Sequence, residues 1–195
     1  MRSVLPESPL AELRCVALGV DDIPRLQRFY EANPQYFVAV NGEPPGPREA
    51  HDEIHGELPA GWSYSQQWML GFADAAGELA AMANVVTDLL AIGVWHIGLF
   101  IVATARHGNG DAQQLYDVLE RWSRDNGAQW LRLGVVSGNE RAERFWQRQG
   151  FVHVRLRDGI EMGRLRNSLR VMVKPLAGRP LDEYLAMVER DRPGA

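Results

Sequence analysis

Short apolar runs alternate along this chain with stretches in which apolar residues recur every three or four positions. The runs read as strands and the recurrences as helices. Leu13 to Leu18 (LRCVAL) predicts a first strand. Asp21 or Asp22 can then cap a helix that carries Ile23, Leu26, Phe29 and Tyr30, with Pro24 in its first turn and Asn33-Pro34 as its stop. GEPPGP (42–47) is a loop, and REAHDEIHGELPAG after it holds a weak helical pattern closed by Pro59 and Gly61. Gln67–Phe72 and Glu78–Val86 flank the turn signal Asp74–Gly77 and predict a hairpin. Asp88–Gly93 connects it to Val94–Val102 (VWHIGLFIV), the most apolar run, which reads as a central strand buried on both faces.

The turn ATARHGNGD leads into a long helix with Leu115, Val118, Leu119 and Trp122 on one face, ended by Asn126-Gly127. Trp130–Val136 is a strand. Asn139–Gln149 is a helix with Ala142, Phe145 and Trp146 as its stripe and Gly150 as its stop. Phe151–Leu156 and Leu169–Val173 read as closing strands around a charged loop, and Asp182–Arg190 as a helix before the tail frays at Arg192-Pro193-Gly194. This order predicts an α/β fold: a central mixed sheet with helices on both faces.

At 195 residues, with 46% hydrophobic residues, the chain is expected to form one domain over 1–195. The formal net charge of −4 carries no basic nucleic-acid footprint. One cysteine, Cys15, excludes an internal disulfide and reads as a small hydrophobe on the first strand. The N-terminal residues lack the apolar core of a signal peptide, and no apolar run is long enough to span a membrane; the expectation is a cytoplasmic protein.

The chemistry concentrates between Val94 and Phe151. A buried strand running through a glycine-bearing turn into a helix aims backbone N–H groups and the helix dipole at one point, a setting for an anion. A tight turn with the same glycines needs no ligand, so the turn alone is a weak signal. Its spacing is neither the dinucleotide fingerprint nor a P-loop. The surrounding residues add more. His107-Gly108-Asn109-Gly110-Asp111-Ala112 stands before QQLYDVLERW, and after the next strand come Asn139, Ala142, the aromatic pair Phe145-Trp146 and Gly150-Phe151. In order and spacing this segment resembles the GNAT superfamily of N-acetyltransferases.

That resemblance implies acetyl-CoA as donor. The pantetheine arm would pair with the strand edge near Ile101 and Val102, and backbone N–H there would meet the oxyanion. The pyrophosphate would rest on the amides of His107, Gly108, Asn109, Gly110, Asp111 and Ala112. Asn139 would hydrogen-bond the pantetheine or orient the thioester end, and Trp146 would line the acyl and thiol pocket. Two departures stand out. His107 replaces the family's first Arg or Gln, and neighbouring Arg106 would supply that charge. Trp146 stands where the family commonly has a tyrosine that protonates the leaving thiolate; Tyr116 and Ser137 are substitutes by position.

An aliphatic amine with a pKa of about 10.4 costs about 4–5 kcal/mol to neutralise at pH 7, so a general base is useful. His96, on the strand before the phosphate turn, is the expected base, with Asp88 and Glu78 as alternatives. The bland role for His96 is a hydrogen bond within the sheet.

Other signals are weaker. His51 and His55 share a helix face without a third ligand, and a polar helix face outweighs zinc there. Glu43, Glu49, Asp52, Glu53 and Glu57 either attract a cationic acceptor or form a solvated face. Arginines between Arg141 and Arg170 either meet the CoA 3′-phosphate or face water. Trp62 and Trp68 either edge an acceptor pocket or pack in the core. The reading is acetyl transfer from acetyl-CoA to a primary amine, on a small molecule or a peptide N-terminus, with no metal, nucleic acid or membrane. A non-catalytic acyl-CoA-binding module on the same fold is the alternative, and a homodimer is left open.

Overall fold

The computed structural model describes residues 5–194. Strands β1 (Arg14–Ala17), β2 (Gln66–Ala73), β3 (Leu79–Thr87), β4 (Val94–Val102), β5 (Trp130–Val136), β6 (Val152–Met162) and β7 (Leu165–Pro175) form one sheet in the order β1-β2-β3-β4-β5-β7-β6. Every neighbouring pair is antiparallel except β4 and β5. A parallel pair needs a long crossover, and α4 (Asp111–Asp125) supplies it. The remaining helices are α1 (Ile23–Ala32), α2 (Gln35–Asn41), α3 (Glu49–His55), α5 (Glu140–Arg148) and α6 (Leu181–Met187). The mixed α/β arrangement expected from the pattern is the one observed.

Helices cover both faces. Trp95, Ile97, Leu131, Leu133 and Val135 pack against Leu115, Leu119 and Trp122 of α4 and Trp146 of α5. On the other face Met82, Leu99 and Ile101 meet Leu26, Phe29 and Tyr30 of α1, Phe37 of α2 and Ala50 of α3. Beside them Val94, Trp130, Val171 and Val173 are covered by Tyr184 of α6 and by Val188.

One irregularity shapes the site. Ile97 and Leu99, two residues apart, would share a face of a regular strand, yet they belong to opposite cores. The register with β3 slips there: Val85 opposes Ile97 and Asn84 opposes Leu99, which leaves Gly98 as the extra residue of a bulge. The pairing of β4 with β5 also ends at Ile97↔Leu133. Beyond it β4 pairs with β3 alone and β5 with β7 alone, so the sheet opens in its middle.

Two stretches differ from the pattern. The charged loop expected between the last two strands is instead part of a long hairpin, β6–β7. Asp158, Glu161, Arg164 and Arg166 are exposed on this arm while Arg155 and Arg157 are half-buried, and the arm docks on α2: Arg164 N–H donates to the Asn41 carbonyl at 2.8 Å, and Asn167 Nδ2 donates to the Val40 carbonyl at 2.8 Å. Gly163 turns the arm with φ 57°, and a Cβ there would lie 2.6 Å from Asn41 Cβ, so only glycine fits. The tail helix ends at Met187; the chain then tightens through Glu189–Asp191 and buries Asp191. No helix among the described residues is long and apolar enough to cross a membrane.

Candidate active site

The opening between β4 and β5 joins two cavities. The larger, about 570 Å³, runs from the turn after β4 past Ile101, Val102 and Gln113 to the start of α5. The smaller, about 240 Å³, lies around Gly98, His96, Arg132 and Trp62. Tyr36, Phe100, Asn139, Ala142 and Trp146 line both, so these five residues mark where the cavities meet.

Of the residues expected to hold the donor, Ile101, Val102, His107, Gly108, Gly110, Ala112, Asn139 and Trp146 line the larger cavity. Gly108 and Gly110 both have φ +86°, a conformation that suits glycine, and no atom crowds a Cβ at either. The α4 N-terminus therefore presents bare backbone. Among the described residues the amides of 108–113 meet no acceptor in the chain, which leaves the first-turn donors of the helix free for an anion.

His107 Nε2 lies 2.8 Å from the Val102 carbonyl oxygen and ties the turn back to the end of β4. Arg106 is differently placed from its expected phosphate role. Its Nη1 lies 3.0 Å from Glu12 and 2.8 Å from Asp111, so its charge is already neutralised, and Asp111 is taken up in the same pairing. Arg141 and Arg148, at the two ends of α5, line the cavity instead. Asn139 caps α5, its Oδ1 accepting from Ala142 N–H at 3.2 Å. Trp146 is 8% exposed and packs edge-on against Tyr116, Phe145 and Phe151.

The expected catalytic groups have less favourable settings. His96 lines the smaller cavity, with Nδ1 3.1 Å from the Arg132 carbonyl oxygen. Burial and the Arg132 cation push its pKa down to about 3, so at neutral pH it is a weakly basic neutral imidazole. Asp88 closes the β3–β4 connection: Gly93 N–H and the Ser65 hydroxyl each donate to its carboxylate at 2.7 Å. The Tyr116 ring is buried against Trp146, Phe145 and Phe151, and burial followed by nearby Glu120 drives its hydroxyl pKa up. Cys15 is likewise pushed up to about 12 by burial, which makes it a poor nucleophile.

Residues 25–151 match the family model for the acetyltransferase (GNAT) family. The chain belongs to the GNAT acetyltransferase family. It is therefore an acyltransferase by kind. Among curated proteins none matches the chain. An acetyltransferase of Thermus thermophilus shares 21% identity and superposes with TM-score 0.62, covering 89% of this chain and all (100%) of that one. The ribosomal-protein-S18-alanine N-acetyltransferase of Escherichia coli has 14% identity and TM-score 0.61, over 86% of this chain and 96% of that one. Spermidine N-acetyltransferase of Vibrio cholerae, solved with CoA and spermine, has 17% identity and TM-score 0.63, over 85% and 96%. At these identities the likeness is one of fold.

Within this GNAT chain the pattern along the sequence undervalued one carboxylate. Glu53 of α3 reads there as one of five scattered acids. Three of the others are spent locally: Glu43 pairs with Arg164 at 2.6 Å, Glu49 accepts from Gly46 N–H at 3.1 Å, and Asp52 sits by His51 at 3.1 Å. Glu53 instead accepts from Asn84 Nδ2 at 2.6 Å, and Asn84 abuts Gly98 of the smaller cavity. Burial raises its pKa. Trp62 edges the smaller cavity, whereas Trp68 packs edge-on against Trp122, 5.7 Å between ring centroids.

Proposed function

We propose that this protein transfers an acetyl group from acetyl-CoA to a primary amine, by direct attack in a ternary complex. The observation that carries this reading is the junction of two cavities at the break between β4 and β5. One cavity begins at unpaired amides suited to a pyrophosphate, and the other approaches the same point from the Gly98 side.

The residues fit the donor. The amides of 108–113 and the α4 dipole favour a pyrophosphate, Arg141 and Arg148 add charge at the rim, and the β4 edge past Ile97 has backbone groups without a strand partner. Asn139 stands at the junction with Tyr36 and Trp146, and its side-chain amide suits the pantetheine. Attack of the amine on the thioester carbonyl breaks the carbon–sulfur bond and yields an amide and a free thiol. A thiol with a pKa of about 8.5 is an adequate leaving group without a dedicated acid, which accommodates Trp146.

The amine proton needs an acceptor. We assign that role to Glu53, directly or through a water, because its raised pKa and its place behind Asn84 and Gly98 suit a base better than His96 does.

Calorimetric titration with acetyl-CoA, CoA and dephospho-CoA tests the donor site. Micromolar binding is expected, weakened for dephospho-CoA if arginine meets the 3′-phosphate. No binding at millimolar ligand overturns the reading.

A further inference from the structure

The smaller cavity carries positive charge that the chain leaves uncompensated. Arg132 and Arg157 line it together with Trp62, and the Arg190 guanidinium lies over the Trp62 indole, 4.2 Å from the ring centroid. Arg155 is held beside them by a hydrogen bond to the Arg190 carbonyl. One carboxylate, Asp191, is paired within this group among the described residues, and it is already taken. Arg132 Nε and Nη2 donate to it at 2.7 and 3.1 Å, and the Tyr184 hydroxyl donates as well. Arg155, Arg157 and Arg190 form no ion pair within 4.0 Å among the described residues, and Arg190 Nε is buried without a hydrogen-bond partner.

This is not the behaviour of a solvated face. Among the described residues, arginines elsewhere in the chain either stand beside carboxylates, as in Arg144–Glu140 and Arg179–Glu183 at 2.8 Å, or are exposed to water, as Arg14, Arg121, Arg141, Arg148 and Arg166 are, whereas Arg155, Arg157 and Arg190 are half-buried. The whole chain is acidic, at −4. Partial burial and mutual repulsion disfavour the charged forms of Arg157 and Arg190, so an anion placed between them would relieve both. Guanidinium groups suit that task because each can donate two parallel hydrogen bonds to a carboxylate or phosphonate. Met162 and Leu169 give the cavity an apolar wall, and Gly98, which the Asn84 side chain abuts, also lines it.

We propose that the acceptor amine carries an anionic group, a carboxylate or phosphonate, which seats against Arg157 and Arg190. The acceptor class is then an amino acid or aminophosphonate, and polyamines are repelled. The inference rests on the acetyl-transfer reading above.

The test separates the two. Acetyl-CoA binding is measured first; its absence overturns the donor reading itself. The CoA-saturated protein is then titrated with glycine, alanine and methionine, each beside its decarboxylated amine, and with 2-aminoethylphosphonate and spermidine. Initial rates of thiol release with acetyl-CoA follow for the same compounds. The anionic members are expected to bind about 10- to 100-fold more tightly than their decarboxylated partners. Arg157→Gln is expected to close most of that gap, and Arg157→Lys to keep part of it. If CoA binds but the anionic members show no advantage in binding or rate, the inference fails while the donor reading stands. An Arg157→Gln effect equal on both members of each pair also overturns it. The comparison on the unmodified protein decides the matter even if a variant does not fold.

Discussion

His96 and Arg132 are held face to face: His96 Nδ1 lies 3.1 Å from the Arg132 carbonyl oxygen and 3.3 Å from its Nη1. A protonated imidazole there would confront a guanidinium, which is why burial and that neighbour hold its pKa at about 3. In the unfolded chain His96 takes up its proton near a pKa of about 6.5. Between these values the unfolded state binds the extra proton, so stability falls as pH falls, by about 1.4 kcal/mol per pH unit. His96→Asn should remove that slope. Urea unfolding of both proteins between about pH 4 and 6.5 checks it, the difference between them cancelling every other titrating group. Equal slopes would show that His96 does not carry the depressed pKa.

Glu53→Gln keeps the oxygen that accepts from Asn84 Nδ2, so the fold should be unaffected. It removes the proposed proton acceptor. A drop of about 10²- to 10⁴-fold in kcat is expected, the range for a lost general base. The acid limb of the kcat/KM profile, which reports a carboxyl pKa raised by burial, should vanish while acetyl-CoA affinity is unchanged. A profile that keeps its acid limb would remove Glu53 from the role. His96→Asn, measured in parallel, should leave the profile's shape intact.

Gly110 is the left-handed cap before α4, with φ +86° and nothing within 4 Å of an added Cβ. Gly110→Ala is therefore strained only through its backbone and should cost about 1–2 kcal/mol in thermal stability. Gly110→Glu adds a carboxylate at the point where the pyrophosphate would rest. Its acetyl-CoA affinity should fall by about 100-fold or more, while its stability matches that of Gly110→Ala. Equal affinity in the two variants would mean that no phosphate sits on this turn.

The glycine turn before α4 and the strands and helices around it were legible because they depend on local rules. An apolar run, glycines in a turn and a long amphipathic stripe fix β4, the turn and α4 with little help from the rest of the chain. The surroundings of the smaller cavity were not legible. Gly98, Trp62 and Arg157 come from separate parts of the sequence and meet round one cavity, with Glu53 linked to it through Asn84 and Arg190 lying over Trp62. Arg106 shows the converse problem. Its position in the motif suggests a phosphate ligand, but Glu12, far off in sequence, reaches it at 3.0 Å. Tertiary pairing overrides the local reading in both cases.

Arg132 and Asp191 provide the sharpest stability test, because they are 4% and 0% exposed and neutralise each other across the sheet and the C-terminal segment. Burial by itself would raise the Asp191 pKa; the hydrogen bonds and charge of Arg132 outweigh it and hold the carboxyl below its ordinary value. A lowered pKa means that the stabilisation is present above the unfolded carboxyl pKa of about 3.9 and is lost as pH falls through the lower folded value. Asp191→Asn leaves a buried guanidinium without its counter-charge and should cost about 3–5 kcal/mol. Arg132→Met with Asp191→Leu removes both charges and should recover most of that loss, since buried pairs replaced by apolar residues are often neutral in stability. Urea midpoints of the single and double variants decide it. If the double variant is as unstable as the single, the contribution lies in shape and hydrogen bonding of the α6 segment rather than in charge balance.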